Sequence, residues 1–375
     1  MVPALIAPNP PVFPSKSAPV QLQWACSLDD VDAWESAWRD LDSRVGNPLT
    51  QFNWIRTSLS AFASDAVPQV VAAFRSDQLV ALAPLVSRRV HGIRRLSLAG
   101  VNEVFEPGDM VWTDERAMER LVSVLARSGS PLVLDRVGAD SLSVQKLKRA
   151  YRGRAVIITR PQATCSFIAL DETWLEPEQH LNSGRRSDLR RARRKAEQLG
   201  PVTTEIHTPD LNELPQLLDL AFDVEAKSCE GQDGRALVND AHRAVFYRHY
   251  AQTACVEGVL RICFLRIGDH VAAMQLAVEQ GGGFWLLKVG YDPHFSACSP
   301  GLLLMRDTIR YAVEAGLENY EFLGRDVSWT EMWTNTEHPY VSVRVYPIGV
   351  RGMAALAADA FAAAVRKWRK RQCKF

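Results

Sequence analysis

The sequence predicts an α/β protein of two similar units in tandem, each a mixed, mostly antiparallel sheet flanked by helices. Three observations lead there. The stretch from Gly283 to Asp326 reads as a strand FWLLKVGY, a polar loop DPHFSACSPG, a helix LLLMRDTIRYAVEAG and a second strand YEFLG. Two distant segments, VVAAFRSDQLVALAPL from Val70 and RICFLRIGDHVAAMQL from Arg261, are each two apolar runs joined by a tight polar turn, the pattern of a β-hairpin. Helical patterns also precede strands in the same order in both halves of a 375-residue chain, a length natural for two domains. Hairpins in equivalent positions of two halves suggest a duplicated unit.

Taken in order, residues 1–19 are proline-rich and are expected to form a flexible tail. The first unit, 20–163, carries helical patterns near Asp30–Asp42 and Gln51–Phe62 ahead of the strands VVAAF, LVALAPLV and PLVLDRV. The second, 164–350, carries helices near Ser183–Leu199, Leu211–Val224 and Asp240–Cys255 ahead of LRICFLRI, VAAMQLAV and FWLLKVGY. After that last strand, Leu302, Met305, Ile309 and Ala312 recur at helical spacing between Gly301 and Gly316, so a helix is expected there. Residues 351–375 form an alanine-rich helix with a basic end. Its cations suit the last turn of a helix, and peripheral contact with anionic lipid stays open.

Composition narrows the function. The chain is 47% hydrophobic, and its 44 basic and 43 acidic residues leave a net charge of +1. There is no global bias toward polyanions and no DNA partner is expected. The seven cysteines lack C-x-x-C spacing and are expected to be reduced thiols. The amino terminus has no basic leader, and no apolar run reaches the roughly 18 to 20 residues of a spanning helix, so a cytoplasmic location is expected, at most peripheral at the inner face of a membrane. No histidine or cysteine spacing suggests a metal, and no serine has a nucleophile-elbow context.

Three groups of residues could carry chemistry. A strand that stops at Ser299-Pro300-Gly301 and hands over to a helix at Leu302 leaves backbone N–H groups aimed at one point, and such a point binds phosphate. In Arg185–Lys195 all but four positions are Arg or Lys, while Leu189, Ala192, Ala196 and Leu199 share one helical face. Arg186, Arg190 and Arg193 therefore meet a polyanion, or they form a solvated face paired with Asp188 and Glu197. Lys288 interrupts an apolar strand and must reach a carboxylate, a ligand or solvent. Period-two alternation places Leu286, Lys288 and Gly290 on one face, with Gln275 of the neighbouring strand lining the same cleft. Glu225, Asp292 and Asp326 lie near element ends, where active-site carboxylates are common.

Strand, glycine-containing anion loop, helix and strand in this order resemble the GNAT-superfamily acyltransferases. The wording around Lys288, Tyr291-Asp292 and Ser299-Pro300-Gly301 is similar to their CelD-like branch, as are Ser183–Gly200, Glu225–Leu237 and Phe322–Trp333. The branch would have Trp-Lys where Cys229-Glu230 stand and Tyr-Lys where Trp329-Thr330 stand, so no lysine role passes to Glu230 or Thr330.

The resemblance implies two tandem GNAT-like domains, as in FemAB-type transferases, and an acetyl-CoA or other acyl-CoA co-substrate held at Ser299, Pro300, Gly301 and Leu302, with no metal. Acyl transfer would go to an amine or hydroxyl of a small-molecule or lipid-linked glycan in exopolysaccharide or envelope synthesis. Glu225 is the first candidate for the base and Asp326 the second. Tyr291 is the candidate acid for the thiolate, and Arg186, Arg190, Arg193, Gln275 and Lys288 are the candidate substrate contacts. Two alternatives remain: a FemAB-like aminoacyltransferase using aminoacyl-tRNA and a peptidoglycan precursor, and a non-catalytic scaffold of the same fold.

Overall fold

The computed structural model describes residues 18–64, 66–228, 237–324 and 329–372. They form three sheets. A four-stranded antiparallel sheet runs in the order Val20–Ala25, Val70–Arg75, Gln78–Ala83, Val111–Trp112. A six-stranded sheet continues from it through Pro84, in the order Ala66–Pro68, Leu85–Val90, Ile93–Leu98, Leu132–Gly138, Tyr340–Pro347, Ala155–Pro161. The third has seven strands: Val202–His207, Leu260–Ile267, His270–Gln280, Gly283–Tyr291, Asn319–Glu321, Cys165–Ala169 and Glu337–His338.

Both predicted hairpins are present, with Arg75 opposite Gln78 in one and Ile267 opposite His270 in the other. Each unit also holds one parallel strand pair bridged by a helix. In the first, Glu115–Arg127 lies between Ile93–Leu98 and Leu132–Gly138. In the second, Pro300–Glu314 connects Gly283–Tyr291 to Asn319–Glu321. Parallel neighbours need such a crossover. The architecture is thus two α/β units with mixed sheets flanked by helices.

Strand Tyr340–Pro347 falls in the interval expected for the second unit, yet it runs between Leu132–Gly138 and Ala155–Pro161 of the first unit's sheet. The chain crosses back, and the helix Val350–Gln372 that follows packs on that sheet. Hydrophobic periodicity cannot reveal this, because a strand's pattern names the face it buries and not the sheet it joins.

The units share a core. Trp54 of the helix Phe52–Ala61 meets Phe246 and Tyr250 of the helix Ala241–Val256 edge to face, with ring centroids 4.9 and 4.8 Å apart. Such aromatic pairs contribute about 0.5 to 1.5 kcal/mol each beyond burial. Asp240 caps the second of these helices by accepting the Arg243 N–H, and Asn182 caps the basic helix Ser183–Leu199 by accepting the Arg185 N–H, as short polar side chains do at helix starts. Cys26, Cys165, Cys255, Cys263 and Cys298 are free thiols. Among the described residues no helix is long and apolar enough to cross a membrane.

Candidate active site

Strand Gly283–Tyr291 pairs with Asn319–Glu321 only over Gly283–Trp285. Beyond Trp285 the two strands part, and the edge of Leu286–Tyr291 loses its parallel neighbour while keeping His270–Gln280 on its other side. The helix Pro300–Glu314 begins beside this opening. Ser299 takes a left-handed φ of 44° at its start and Pro300 follows, a residue whose missing N–H costs nothing at a first helical position. A side chain placed on Gly301 would meet nothing within 4 Å, so this turn faces open space. A cavity of about 460 Å³ lies here, with Gln275, Tyr291, Ser299, Gly301, Leu302 and Trp329 in its wall. Pro300 lines it too. Asp292 instead caps the short helical turn Pro293–Cys298, accepting the His294 N–H at 2.9 Å, and is 3.4 Å from the Lys227 ammonium.

The strand's other face carries the charged pair. Glu225 is fully buried, its Oε1 is 3.8 Å from Lys288 Nζ, and the same carboxylate accepts the Leu237 N–H at 3.1 Å. The Lys288 ammonium also lies 5.3 Å from the centre of the Tyr247 ring. Strict alternation fails at Leu287. The register shifts there, so that Leu276 faces Lys288 but Ala277 faces Leu286. This bulge puts Leu286 in the core that holds Val289 and Tyr291, and Leu287 in the opposite one. Gln275 consequently does not share a face with Lys288. It lies opposite Val289, with its amide 3.6 Å from Met305 Sδ and the Tyr320 hydroxyl 3.5 Å from its carbonyl. The two faces still communicate, because Gly290 and Ser228, which adjoin Glu225, line the cavity as well.

Two residues of the first unit complete the polar cluster. Glu106 is 5% exposed, and its carboxylate accepts the Gly324 N–H at 3.0 Å. Burial pushes its carboxyl up to about 7, against the pull of that N–H and the charges of Arg136, Lys288 and Arg243. Arg136, 2% exposed, donates to the Gly324 carbonyl and to Cys165 Sγ, and lies 4.4 Å from the Phe105 ring centre. Its Nε and Nη1 have no hydrogen-bond partner among the described residues. Burial pushes the Cys165 thiol up to about 12 despite the adjacent guanidinium.

Backbone strain marks the same place. Of six non-glycine residues with positive φ among the described residues, Ser76 and His91 sit in hairpin turns, while Phe105, Arg136, Ser299 and Leu323 border the cluster or the cavity. Strained backbone concentrates where surrounding structure holds a site in shape.

Not every expected residue joins this site. Arg190 is exposed, Arg186 donates to the Leu181 carbonyl at 2.8 Å, and Arg193 pairs with Glu197 at 2.8 Å. The helix that carries them packs on Pro293–Cys298 and Pro300–Glu314, and Arg185 donates to the Glu331 carbonyl at 3.1 Å, close in sequence to Trp329 of the cavity wall. Asp326 and the segment 229–236 lie outside the described residues. Thr330 is buried, its hydroxyl 3.1 Å from that of Ser166.

Sequence reasoning missed Arg136 and Glu106. Like Lys288, Arg136 within PLVLDRV is a cation inside an apolar strand. Glu106 precedes Pro107-Gly108 in an aperiodic segment, where no spacing signal could have found it.

Comparison with known proteins agrees with this geometry. Residues 183–331 match the family model described as an acetyltransferase (GNAT) domain. No curated protein matches the sequence. Among solved structures the chain is similar to FemX, with a TM-score of 0.55 and 12% identity over 88% of this chain and 97% of that one. It is likewise similar to L-PGS from Bacillus licheniformis, with a TM-score of 0.52 and 12% identity over 86% and 96%. A third likeness is to the C-terminal domain of a protein described as a lysylphosphatidylglycerol synthetase from Agrobacterium fabrum, with a TM-score of 0.54 and 12% identity over 89% and 96%. At such identities the likeness is one of fold. The chain has the GNAT acyltransferase fold.

Proposed function

We propose that this GNAT-fold protein moves an acyl group from acyl-CoA to an amine or hydroxyl of a sugar or envelope precursor. The observation that carries the reading is the parting of strands Gly283–Tyr291 and Asn319–Glu321 beside the start of the helix Pro300–Glu314. N–H groups at that start suit the CoA phosphates, and the strand edge beyond Trp285 suits the thioester carbonyl as a source of N–H groups. Gly290 and Ser228 of the cavity wall adjoin Glu225, and from there the acyl group would be handed toward the Glu225–Lys288 pair and the neighbouring Glu106 and Arg136.

The chemistry then needs one base and one acid. An acceptor N–H or O–H attacks the carbonyl, the bond from carbon to the acceptor forms, and the C–S bond breaks. Glu106, pushed up to about 7, suits the proton from the acceptor, since a base works best near ambient pH. Glu225 holds Lys288 in place, and Tyr291, in the cavity wall, suits protonation of the departing thiolate. The sugar acceptor rests on the CelD-like wording of the sequence, and the location at the inner face of a membrane on its basic C-terminal helix.

An aminoacyl donor is the second reading. It is favoured by the fold's likeness to FemX and L-PGS and by the arginine-rich helix that packs on Pro293–Cys298 and Pro300–Glu314. Thiol release from acetyl-CoA in the presence of amino-sugar and hydroxyl acceptors tests the first reading, which expects release that falls at least about a hundredfold in Glu106→Gln. Transfer from aminoacyl-tRNA with no thiol release supports the second, and inactivity with both donors supports a scaffold.

A further inference from the structure

The first unit holds a second cavity, of about 320 Å³, between the six-stranded sheet and the C-terminal helix Val350–Gln372. Its floor is the polar face of the sheet. Arg88 and Arg95 stand directly opposite each other across Leu85–Val90 and Ile93–Leu98, an arrangement of like charges that disfavours pairing unless something neutralises it. Arg88 has Glu103, and Arg95 has Asp359 at 2.6 Å. Asp359 also takes Arg344 at 3.2 Å and the Tyr346 hydroxyl at 2.6 Å, and His91 Nδ1 stands 3.5 Å away. Asp135 accepts the Ser342 hydroxyl at 2.5 Å.

These pairs leave two buried donors over. Arg95 is 3% exposed and Ser97 6%, and among the described residues neither the Arg95 Nε nor the Ser97 hydroxyl has a hydrogen-bond partner. Both line the cavity. Arg366, at its rim, has no carboxylate within ion-pair distance among the described residues. Leaving a donor buried and unbonded costs about 1 to 3 kcal/mol, so a ligand with several acceptor oxygens is what the cavity lacks. The donors come from one strand, Ile93–Leu98, and from the helix Val350–Gln372 that covers it, so they approach from two directions, which suits a tetrahedral anion better than a planar carboxylate, and guanidinium groups fork well onto phosphate.

We propose that this cavity binds a phosphate group, separate from the anion site at Ser299–Leu302, through Arg95, Ser97 and Arg366. The phosphate could belong to a soluble phosphomonoester or to a phospholipid headgroup, since Phe361 and Trp368 of the same helix are 74% and 61% exposed. Titration of the full chain carrying Gly301→Glu, which removes the first anion site from consideration, distinguishes them. Inorganic phosphate is one titrant, and vesicles of phosphatidylcholine with or without phosphatidylglycerol are the other.

Saturable phosphate binding that weakens about tenfold in Arg366→Glu and measurably in Ser97→Ala supports a soluble ligand. Binding only to phosphatidylglycerol vesicles, weakened by Ser97→Ala, supports a headgroup. Ser97→Ala is nearly isosteric and Arg366 is exposed, so neither change threatens the fold, and circular dichroism checks that. Absence of binding to both titrants, or binding that both substitutions leave unchanged, overturns the proposal.

Discussion

Gly290 lies so close to Glu225 that a methyl group on it would stand 2.8 Å from the Glu225 Cα. Only glycine allows the helix Leu214–Lys227 to press its last turn against the strand Gly283–Tyr291. That contact places the Glu225 carboxylate beside Lys288, next to Gly290 and Ser228 of the cavity wall. Gly290→Ala should therefore cost about 1 to 3 kcal/mol of stability, the usual range for overpacking. Transferase activity should fall further than stability alone explains. Urea denaturation and turnover measured on the same preparation check both.

The Glu225–Lys288 pair is buried at 0% and 9% side-chain exposure. Removing one partner leaves the other's charge buried, so Glu225→Gln and Lys288→Met should each destabilise by about 3 to 5 kcal/mol. The double variant should recover part of the loss. A double-mutant cycle by denaturation reads the coupling, and additive losses would mean that each residue is held by other contacts.

Glu106 gives the protein a pH signature. Its carboxyl stands at about 7 when folded against an ordinary 4.5, so between those values the folded state holds the proton more tightly. Stability should fall as pH rises through that window and level off above pH 7, by an amount on the order of 3 kcal/mol. Glu106→Gln should flatten the slope. Part of it should persist, because burial raises Asp42 to about 7 as well. If Glu106 is the base, activity should rise with pH to a midpoint near 7, and melting curves with rate profiles separate the two effects.

Asp359 should behave in the opposite sense. Burial would raise its pKa, but the Arg95 and Tyr346 hydrogen bonds and the charges of Arg95 and Arg344 outweigh burial and hold it at about 2. Its contribution is present above the ordinary value of 3.8 and is lost as pH falls through 2. Asp359→Asn should cost about 2 kcal/mol or more at pH 7, and the difference from the parent should close by pH 2. Denaturation midpoints across that range test it.

Elements that bury one face were legible in the sequence. The basic helix Ser183–Leu199, both hairpins and the strand Gly283–Tyr291 announced themselves by period and by turn chemistry, and Ser299-Pro300-Gly301 marked the cavity wall. What stayed hidden depends on neighbours. The bulge at Leu287 moves Gln275 and Lys288 to opposite faces, a one-residue register effect that alternation cannot foresee. Tyr340–Pro347 joins a distant sheet, and Glu106 is buried only because Gly324 of the second unit packs against it.

Acyl-CoA binding beside Gly301 decides the proposed function. Calorimetric titration with acetyl-CoA, of the parent and of Gly301→Glu, is the direct measurement. A glutamate there has room sterically, since nothing lies within 4 Å of the position, yet it sets a negative charge against the incoming phosphates. Saturable binding by the parent, lost in the correctly folded variant, is the predicted result. No binding by the parent at millimolar acetyl-CoA, or equal binding by both, would contradict it.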